Sequence, residues 1–195
     1  MKVLKFGGTS VGSSKNINNV INILENYSKK DTVVCVVSAV GGITDKLLLA
    51  GNGGSAADAE HISGELLKGF ENPRILKGAL AEKMSPDLAA KLQGSLPAIP
   101  LTSFISLATA YANDVDAEMV FAQLVLGLAQ GEDVLLGIST SGNAKNIIAA
   151  FEVAKAKGIA TVALTGKDGG TLAEMADIAI KVPAIRTLEV QELHL

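Results

Sequence analysis

The sequence predicts an α/β protein: a parallel β-sheet covered by helices on both faces, a three-layer αβα sandwich. Three observations carry that expectation. Short, mainly apolar runs of strand length recur, at Leu47 to Ala50, Asp133 to Ile138, Ala160 to Leu164 and Ile178 to Val182. Such near-continuous runs mark strands buried on both faces. Longer segments with helical periodicity separate them, so strand and helix alternate. Two runs stop at loops of Gly, Asn, Ser and Thr, where ligands meet the C-terminal edge of a parallel sheet.

The chain opens with a strand that runs into a Gly/Thr/Ser loop, Met1 to Gly12. Asn16 to Lys29 has helical spacing, with Ile17, Val20, Ile21, Ile23 and Leu24 on an apolar stripe. Thr32 to Val40 is rich in β-branched residues and completes a βαβ unit. After Leu47 to Ala50 comes Gly51-Asn52-Gly53-Gly54-Ser55. Its glycines reach backbone conformations closed to other residues and let an anion approach the main chain. Ser55 is placed to cap the helix behind, whose free N–H groups attract phosphate. His61 and Glu65, four residues apart, share one face of that helix.

Leu66 to Leu96 reads as helix, loop and helix, with a start signal at Ser85-Pro86-Asp87. Ile99 to Thr102 is a short strand, Ser103 to Ala112 a helix, Asn113 to Asp116 a turn, and Ala117 to Gln130 a helix. The run Asp133 to Ile138 leads into Ser139-Thr140-Ser141-Gly142-Asn143. Consecutive hydroxyls at a strand's end form a phosphate grip, each able to donate beside backbone donors. A helix follows over Asn146 to Lys157, then the strand Ala160 to Leu164 and a loop to Gly170. Thr171 to Met175 is a short helix; Pro183 ends the last strand, and Leu188 begins the final helix.

The 195 residues suffice for one well-buried domain with an added βαβ piece. With 17 basic and 20 acidic residues and no basic cluster, nucleic acid is not an expected partner. The lone Cys35 lies in a β-run and is expected to pack; a disulfide framework is excluded, which fits a reducing compartment. The chain shows neither a signal-type opening nor a run of membrane-spanning length. The expected location is the cytoplasm, with no membrane partner.

Gly51 to His61 and Gly137 to Asn143 resemble the two signatures of the phosphoheptose isomerases, members of the sugar isomerase (SIS) domain family. Leu164 to Gly170 and Val190 to His194 resemble further segments of that family in the right order, so the likeness covers 46–195. It implies a flavodoxin-like sheet and an aldose–ketose isomerisation through an enediol. The implied substrate is sedoheptulose 7-phosphate and the product D-glycero-D-manno-heptose 7-phosphate. Glu65 matches the base; Ser55, Ser139, Thr140 and Ser141 match the phosphate grip. Asn52 matches a contact to sugar hydroxyls, with Gly53 and Asn143 in the same loops. Asn113 and Asp114 lie near the sugar by position in the family, with a plain turn as the equal alternative.

Some members bind zinc, one divalent ion per site, and His61, Glu65 and Gln191 match three of its ligands. Such a metal would stabilise the enediolate; the plain alternative is an i,i+4 pair on a solvated helix. No nucleotide is expected. The family forms homotetramers with sites at subunit boundaries, so a homo-oligomer is expected, its tetrameric form left open. The family's catalytic acid, a second His and the fourth zinc ligand, falls by spacing beyond Leu195, while His194 matches a non-catalytic position. The expectation is a chain that stops inside its last helix, with turnover impaired. Ala144 also stands where a Ser often follows the second loop. Two alternatives remain: a non-catalytic sugar-phosphate-binding SIS module, and an engineered chimera without activity.

The opening is different. Lys5-Phe6-Gly7-Gly8-Thr9-Ser10 resembles the start of aspartokinase, of the amino-acid kinase fold. That resemblance implies Lys5 facing ATP phosphates, with Gly7 and Gly8 letting them approach. It ends near Ala50, and the acidic residues such a kinase needs have no counterpart, so aspartokinase activity is not expected. The chain reads as a chimera, a kinase-like βαβ fragment over 1–45 before an SIS domain over 46–195.

Overall fold

The structure, a computed structural model, describes residues 2–6, 14–29, 33–37 and 46–195. The chain divides into two compact units, Met1–Asp45 and Lys46–Leu195.

In the first unit, β1 (Lys2–Phe6) and β2 (Val33–Val37) pair in parallel, with Leu4 opposite Cys35. A parallel pair needs a crossover, and α1 (Ser14–Ser28) provides it. Of the expected apolar stripe, Val20 is buried while Ile21 and Ile23 are exposed. The Gly7-Gly8-Thr9-Ser10 loop and the side chains of Lys5, Ile17 and Cys35 lie outside the described residues.

The second unit holds five parallel strands: β3 (Leu47–Gly51), β4 (Ala98–Pro100), β5 (Val134–Ser139), β6 (Ala160–Thr165) and β7 (Ile178–Lys181). Their order is β4-β3-β5-β6-β7. The chain starts inside the sheet, steps to one edge, returns past its start and then winds out to the other edge. Counted within the unit this is the doubly wound, flavodoxin-like order. The direction of winding reverses between β3 and β5, which lie side by side with Gly51 opposite Ile138. Ligands of such sheets bind at the strand C-termini beside that reversal.

Alternation along the strands builds the layers. Leu48, Ala50 and Leu135 join one buried cluster with Leu124, Val125, Ile147 and Phe151, whereas Leu49, Leu136 and Ile138 join another with Ala59 and Leu164. One layer thus contains α6 (Val120–Leu128) and α7 (Lys145–Ala156), and the opposite one α2 (Gly54–Leu67). Gly137 lets Phe151 press against the sheet: a Cβ there would stand 2.5 Å from Phe151 Cε1.

At the other end of β3 and β5, Asp133 ties the strands together. Its Oδ1 accepts from Lys46 N at 2.8 Å, its Oδ2 from Gln130 N at 2.8 Å, and Lys46 Nζ lies 3.1 Å from Oδ2. Burial raises the Asp133 pKa, but the hydrogen bonds from Lys46 and Gln130 outweigh it and hold the carboxyl below the ordinary range.

The middle of the chain departs from its sequence reading. Between residues 66 and 96, α2 ends at Leu67, and only the short α3 (Ala79–Glu82) and α4 (Pro86–Lys91) follow. Ser85 does cap α4, accepting from Leu88 N at 3.4 Å. The strand expected to run to Thr102 stops at Pro100, which has no N–H for a ladder, and a 3-10 turn (Leu101–Ser103) follows. The expected turn at Asn113 to Asp116 is instead a π-helical turn (Ala112–Asp116) continuing α5 (Ile105–Tyr111). Asp116 then starts a 3-10 turn by accepting from Glu118 N at 2.8 Å. Beyond β6, α8 (Gly170–Met175) and α9 (Thr187–His194) complete the unit. Among the described residues, no helix is long and apolar enough to cross a membrane.

Candidate active site

The two loops expected to grip phosphate follow β3 and β5 at the reversal point, and they line one cleft of about 360 Å³. Asn52 to Ser55 form one wall and Ser139 to Ser141 the other. Thr187 and Gln191 of α9 complete it, with Ala144 at the foot of α7.

The first wall is shaped by glycine. Gly53 has φ +56°, a conformation side chains resist, and it occupies the N-cap position of α2. This corrects the expectation for Ser55. Capping is done from the residue before the helix, and Ser55 is already inside the first turn, where it makes no cap bond. Ser55 is nevertheless buried and lines the cleft. In the second wall Ser139 is buried, Thr140 half-buried and Ser141 exposed. Ser141 Oγ accepts from Asn143 N at 3.2 Å, which leaves its O–H free to donate.

Among the described residues, no Lys or Arg lines the cleft. An anion there would be met by hydroxyls and by the N-terminal turns of α2 and α7, whose first N–H groups have no helical acceptor.

Several expected ligand residues have other partners. Asn143 braces the loop: its Oδ1 accepts from Thr171 N and Oγ1 at 3.0 Å each, and its Nδ2 donates to Ser141 O at 3.0 Å. It is not among the residues lining this cleft. Asn52 does line the cleft, but its amide is paired with that of Asn146. Asn113 donates to Asp114 Oδ1 at 2.8 Å in the exposed π-turn, and neither is among the residues lining this cleft.

His61 and Glu65 share a face of α2, with His61 Nε2 3.9 Å from Glu65 Oε1. Glu65 Oε2 is buried and has no hydrogen-bond partner among the described residues. The third expected metal ligand stands elsewhere. Gln191 lies on the first turn of α2, where a Cβ on Gly54 would fall 2.7 Å from its Cδ. At 1.5 Å per residue, His61 and Glu65 are about 10 and 16 Å further along the axis. Gly54, His61 and Glu65 lie along one stripe of α2, and among the described residues no group of three His, Cys, Asp or Glu is placed to hold a metal.

The sequence reading missed Asp58 and assigned no role to His194; both are buried. Among the described residues, Asp58 Oδ2 and both ring nitrogens of His194 have no hydrogen-bond partner. Burial pushes the Asp58 carboxyl above its ordinary range, against the pull of His194 and His61. Burial likewise pushes the His194 imidazole down, against the Thr165 backbone and Asp58. Their spacing was a usable signal: Asp58 precedes His61 by three residues, and His194 follows Gln191 by three. Val190, buried with Val182 and Ala184, fixes α9 so that Gln191 faces the cleft.

An SIS domain model matches residues 13–166 and so reaches into the first unit. The phosphoheptose isomerase of Sulfurimonas denitrificans is 44% identical over 179 residues, spanning 91% of this chain and 78% of that protein. The phosphoheptose isomerase of a Nitratiruptor species is 45% identical over 150 residues, spanning 77% and 70%. Among solved structures, phosphoheptose isomerase GmhA from Neisseria gonorrhoeae superposes with TM-score 0.62 at 37% identity, over 77% of this chain and 70% of that one. One from Francisella tularensis gives 0.63 at 34% identity, over the same shares of 77% and 70%. With this cleft at the reversal of this sheet, the chain belongs to the SIS domain family, in its phosphoheptose isomerase branch.

Proposed function

We propose that the chain is an aldose–ketose isomerase acting on sedoheptulose 7-phosphate. The observation that carries this reading is the single cleft walled by two hydroxyl-bearing loops at the strand reversal. Phosphate binds there, held by Ser55, Ser139, Thr140 and Ser141 and by the ends of α2 and α7. The sugar then extends from a fixed end, which converts a diffusing carbonyl into a positioned one. Glu65 is three turns up α2 from that end, and helical side chains lean back toward the N-terminus. A long sugar phosphate, gripped at one end and reacting at the other, suits this separation.

Glu65, through its unpartnered Oε2, takes a proton from C1 of the ketose while a general acid supplies one to O2. The resulting enediol regains the proton at C2 and loses one from O1, giving the aldose. No step is routed through a metal: a zinc role for His61 and Glu65 would need donors beyond these two. Self-association as a homo-oligomer, a cytoplasmic location and a kinase-like origin of residues 1–45 belong to the same reading.

The test is turnover of sedoheptulose 7-phosphate by the full chain and by Glu65→Gln, with light scattering on the same samples. The variant should lose at least about a hundredfold in rate, the lower range for removal of a general base. A variant that keeps the full rate removes Glu65 from the role. A second reading, sugar-phosphate binding without chemistry, is favoured by the cleft lining, which among the described residues includes neither His61 nor Glu65. Calorimetry that finds binding without turnover would select it.

A further inference from the structure

One pair of hydrogen bonds joins the two walls of the cleft. Asn52 Nδ2 donates to Asn146 Oδ1 at 2.9 Å, and Asn146 Nδ2 donates to Asn52 Oδ1 at 2.8 Å. Asn52 belongs to the loop after β3, and Asn146 is the second residue of α7, behind the loop after β5. The bonds thus span the point where the sheet reverses. Two amides paired this way fix each other's orientation: turning either about its last bond sets N–H against N–H and oxygen against oxygen. Each amide offers two donors and two lone pairs, and the pairing uses one of each. Asn52, which lines the cleft, keeps one N–H and one lone pair.

We propose that Asn146 is a positioning residue of this site, locking the Asn52 amide so that its remaining donor and acceptor face the sugar hydroxyls beyond the phosphate. The inference rests on the sugar-phosphate reading of the cleft. A hydroxyl both donates and accepts, so a partner with one free donor and one free acceptor suits it, provided that their places are fixed. The phosphate grip lies on Ser55 and Ser139 to Ser141, so Asn146 bears on the sugar and not on its phosphate. The pair is also uncharged, so it orients without adding to the field at the anion.

The experiment is calorimetric titration of the full chain with inorganic phosphate and, separately, with sedoheptulose 7-phosphate. Asn146→Ala should bind inorganic phosphate as the parent does and sedoheptulose 7-phosphate about threefold to tenfold more weakly, the range for one neutral hydrogen bond. Asn52→Ala should weaken sugar-phosphate binding by at least as much. Because Asn146 acts through Asn52, the double variant should be no weaker than Asn52→Ala alone. Asn146→Gln, which keeps both amide functions on a longer side chain, should fall between the parent and Asn146→Ala. The proposal is overturned by an Asn146→Ala chain with unchanged sugar-phosphate affinity, by multiplying losses in the double variant, or by parallel loss of inorganic phosphate. A parent chain that binds neither ligand overturns the cleft reading itself, and the proposal with it.

Discussion

Gly54→Ala should detach Gln191 from the cleft at little cost to the fold, while Gly51→Ala, three residues earlier, should damage the fold itself. The difference lies in what each new methyl meets. At Gly54 it meets the amide of Gln191, 2.7 Å from Cδ and 3.0 Å from Oε1, the far end of a side chain with three rotatable bonds. Gly54 is not among the positive-φ glycines, so Ala fits its backbone and contributes about 0.4–1 kcal/mol by restricting the unfolded chain. Moving Gln191 into a less favourable rotamer costs about 0.5–1.5 kcal/mol, so the two changes nearly cancel. At Gly51 the methyl meets backbone, 2.5 Å from the Ser55 carbonyl carbon and 3.0 Å from Ala56 N. Neither atom moves without shifting the first turn of α2 against β3, an overpacking of about 1–3 kcal/mol. Urea unfolding should place the Gly54→Ala midpoint near that of the parent and the Gly51→Ala midpoint well below it, with unchanged m. Calorimetry with sedoheptulose 7-phosphate should show weakened binding in the Gly54 variant. A Gly54→Ala chain that unfolds as early as Gly51→Ala would mean Gln191 is immovable. One that keeps parental affinity would mean that Gln191 is no part of the site.

Two further outcomes concern titrating groups. Asp133→Ala strips two backbone N–H groups and an ammonium of their acceptor and should cost about 3–5 kcal/mol in urea unfolding. Because the Asp133 pKa is lowered in the folded chain, its stabilisation is complete above the unfolded carboxylate value, about 3.9, and is lost as pH falls through the folded one. The parent's advantage over Asp133→Ala should shrink below about pH 4, and a constant difference down to pH 2 would refute the assignment. His194 acts in the same sense at higher pH. Its pKa is lowered by burial, so below about 6.5 the unfolded chain takes up a proton that the folded chain refuses, and stability falls with pH. Asp58, raised by burial against the pull of His194 and His61, acts in the opposite sense, gaining stability as pH falls through its folded value. His194→Gln should flatten the decline in melting temperature between pH 7 and about pH 5.5; an unchanged slope would show that His194 does not titrate there.

Local pattern made the strands and both loops legible, because a buried parallel strand and a Gly/Ser stop are properties of a few consecutive residues. The helix over Asn146 to Lys157 was readable for the same reason and starts only one residue earlier, at Lys145. What sequence did not disclose was partnership at a distance. Asn52 reads as a free ligand until Asn146, 94 residues away, is brought beside it by the crossover through β4. Asn143 reads as part of the grip until α8 presents Thr171. The cap was misplaced because Asn52, Gly53 and Ser55 all suit an N-terminus, and only the positive φ of Gly53 decides among them. The expected turn at Asn113 failed through a neutral signal: Asn and Asp suit turns, but α5 runs on through them as a π-turn.

The cleft and the core are set by one contact at two heights of the same helix. Gly137 admits Phe151 to the face of β5, and any Cβ there would meet Phe151 Cε1 at 2.5 Å and Ile147 Cγ2 at 2.7 Å. That closeness fixes how far α7 stands from the sheet. Asn146 sits one residue before Ile147, so the same spacing bears on its distance from Asn52. A larger residue at 137 would lift α7 and carry Asn146 away from its partner, although neither Gly137 nor Phe151 lines the cleft. Protein interiors transmit such shifts because they are packed without slack. Residue 137 therefore governs the site through the core, and its glycine is as much a feature of the cleft as the hydroxyls that line it.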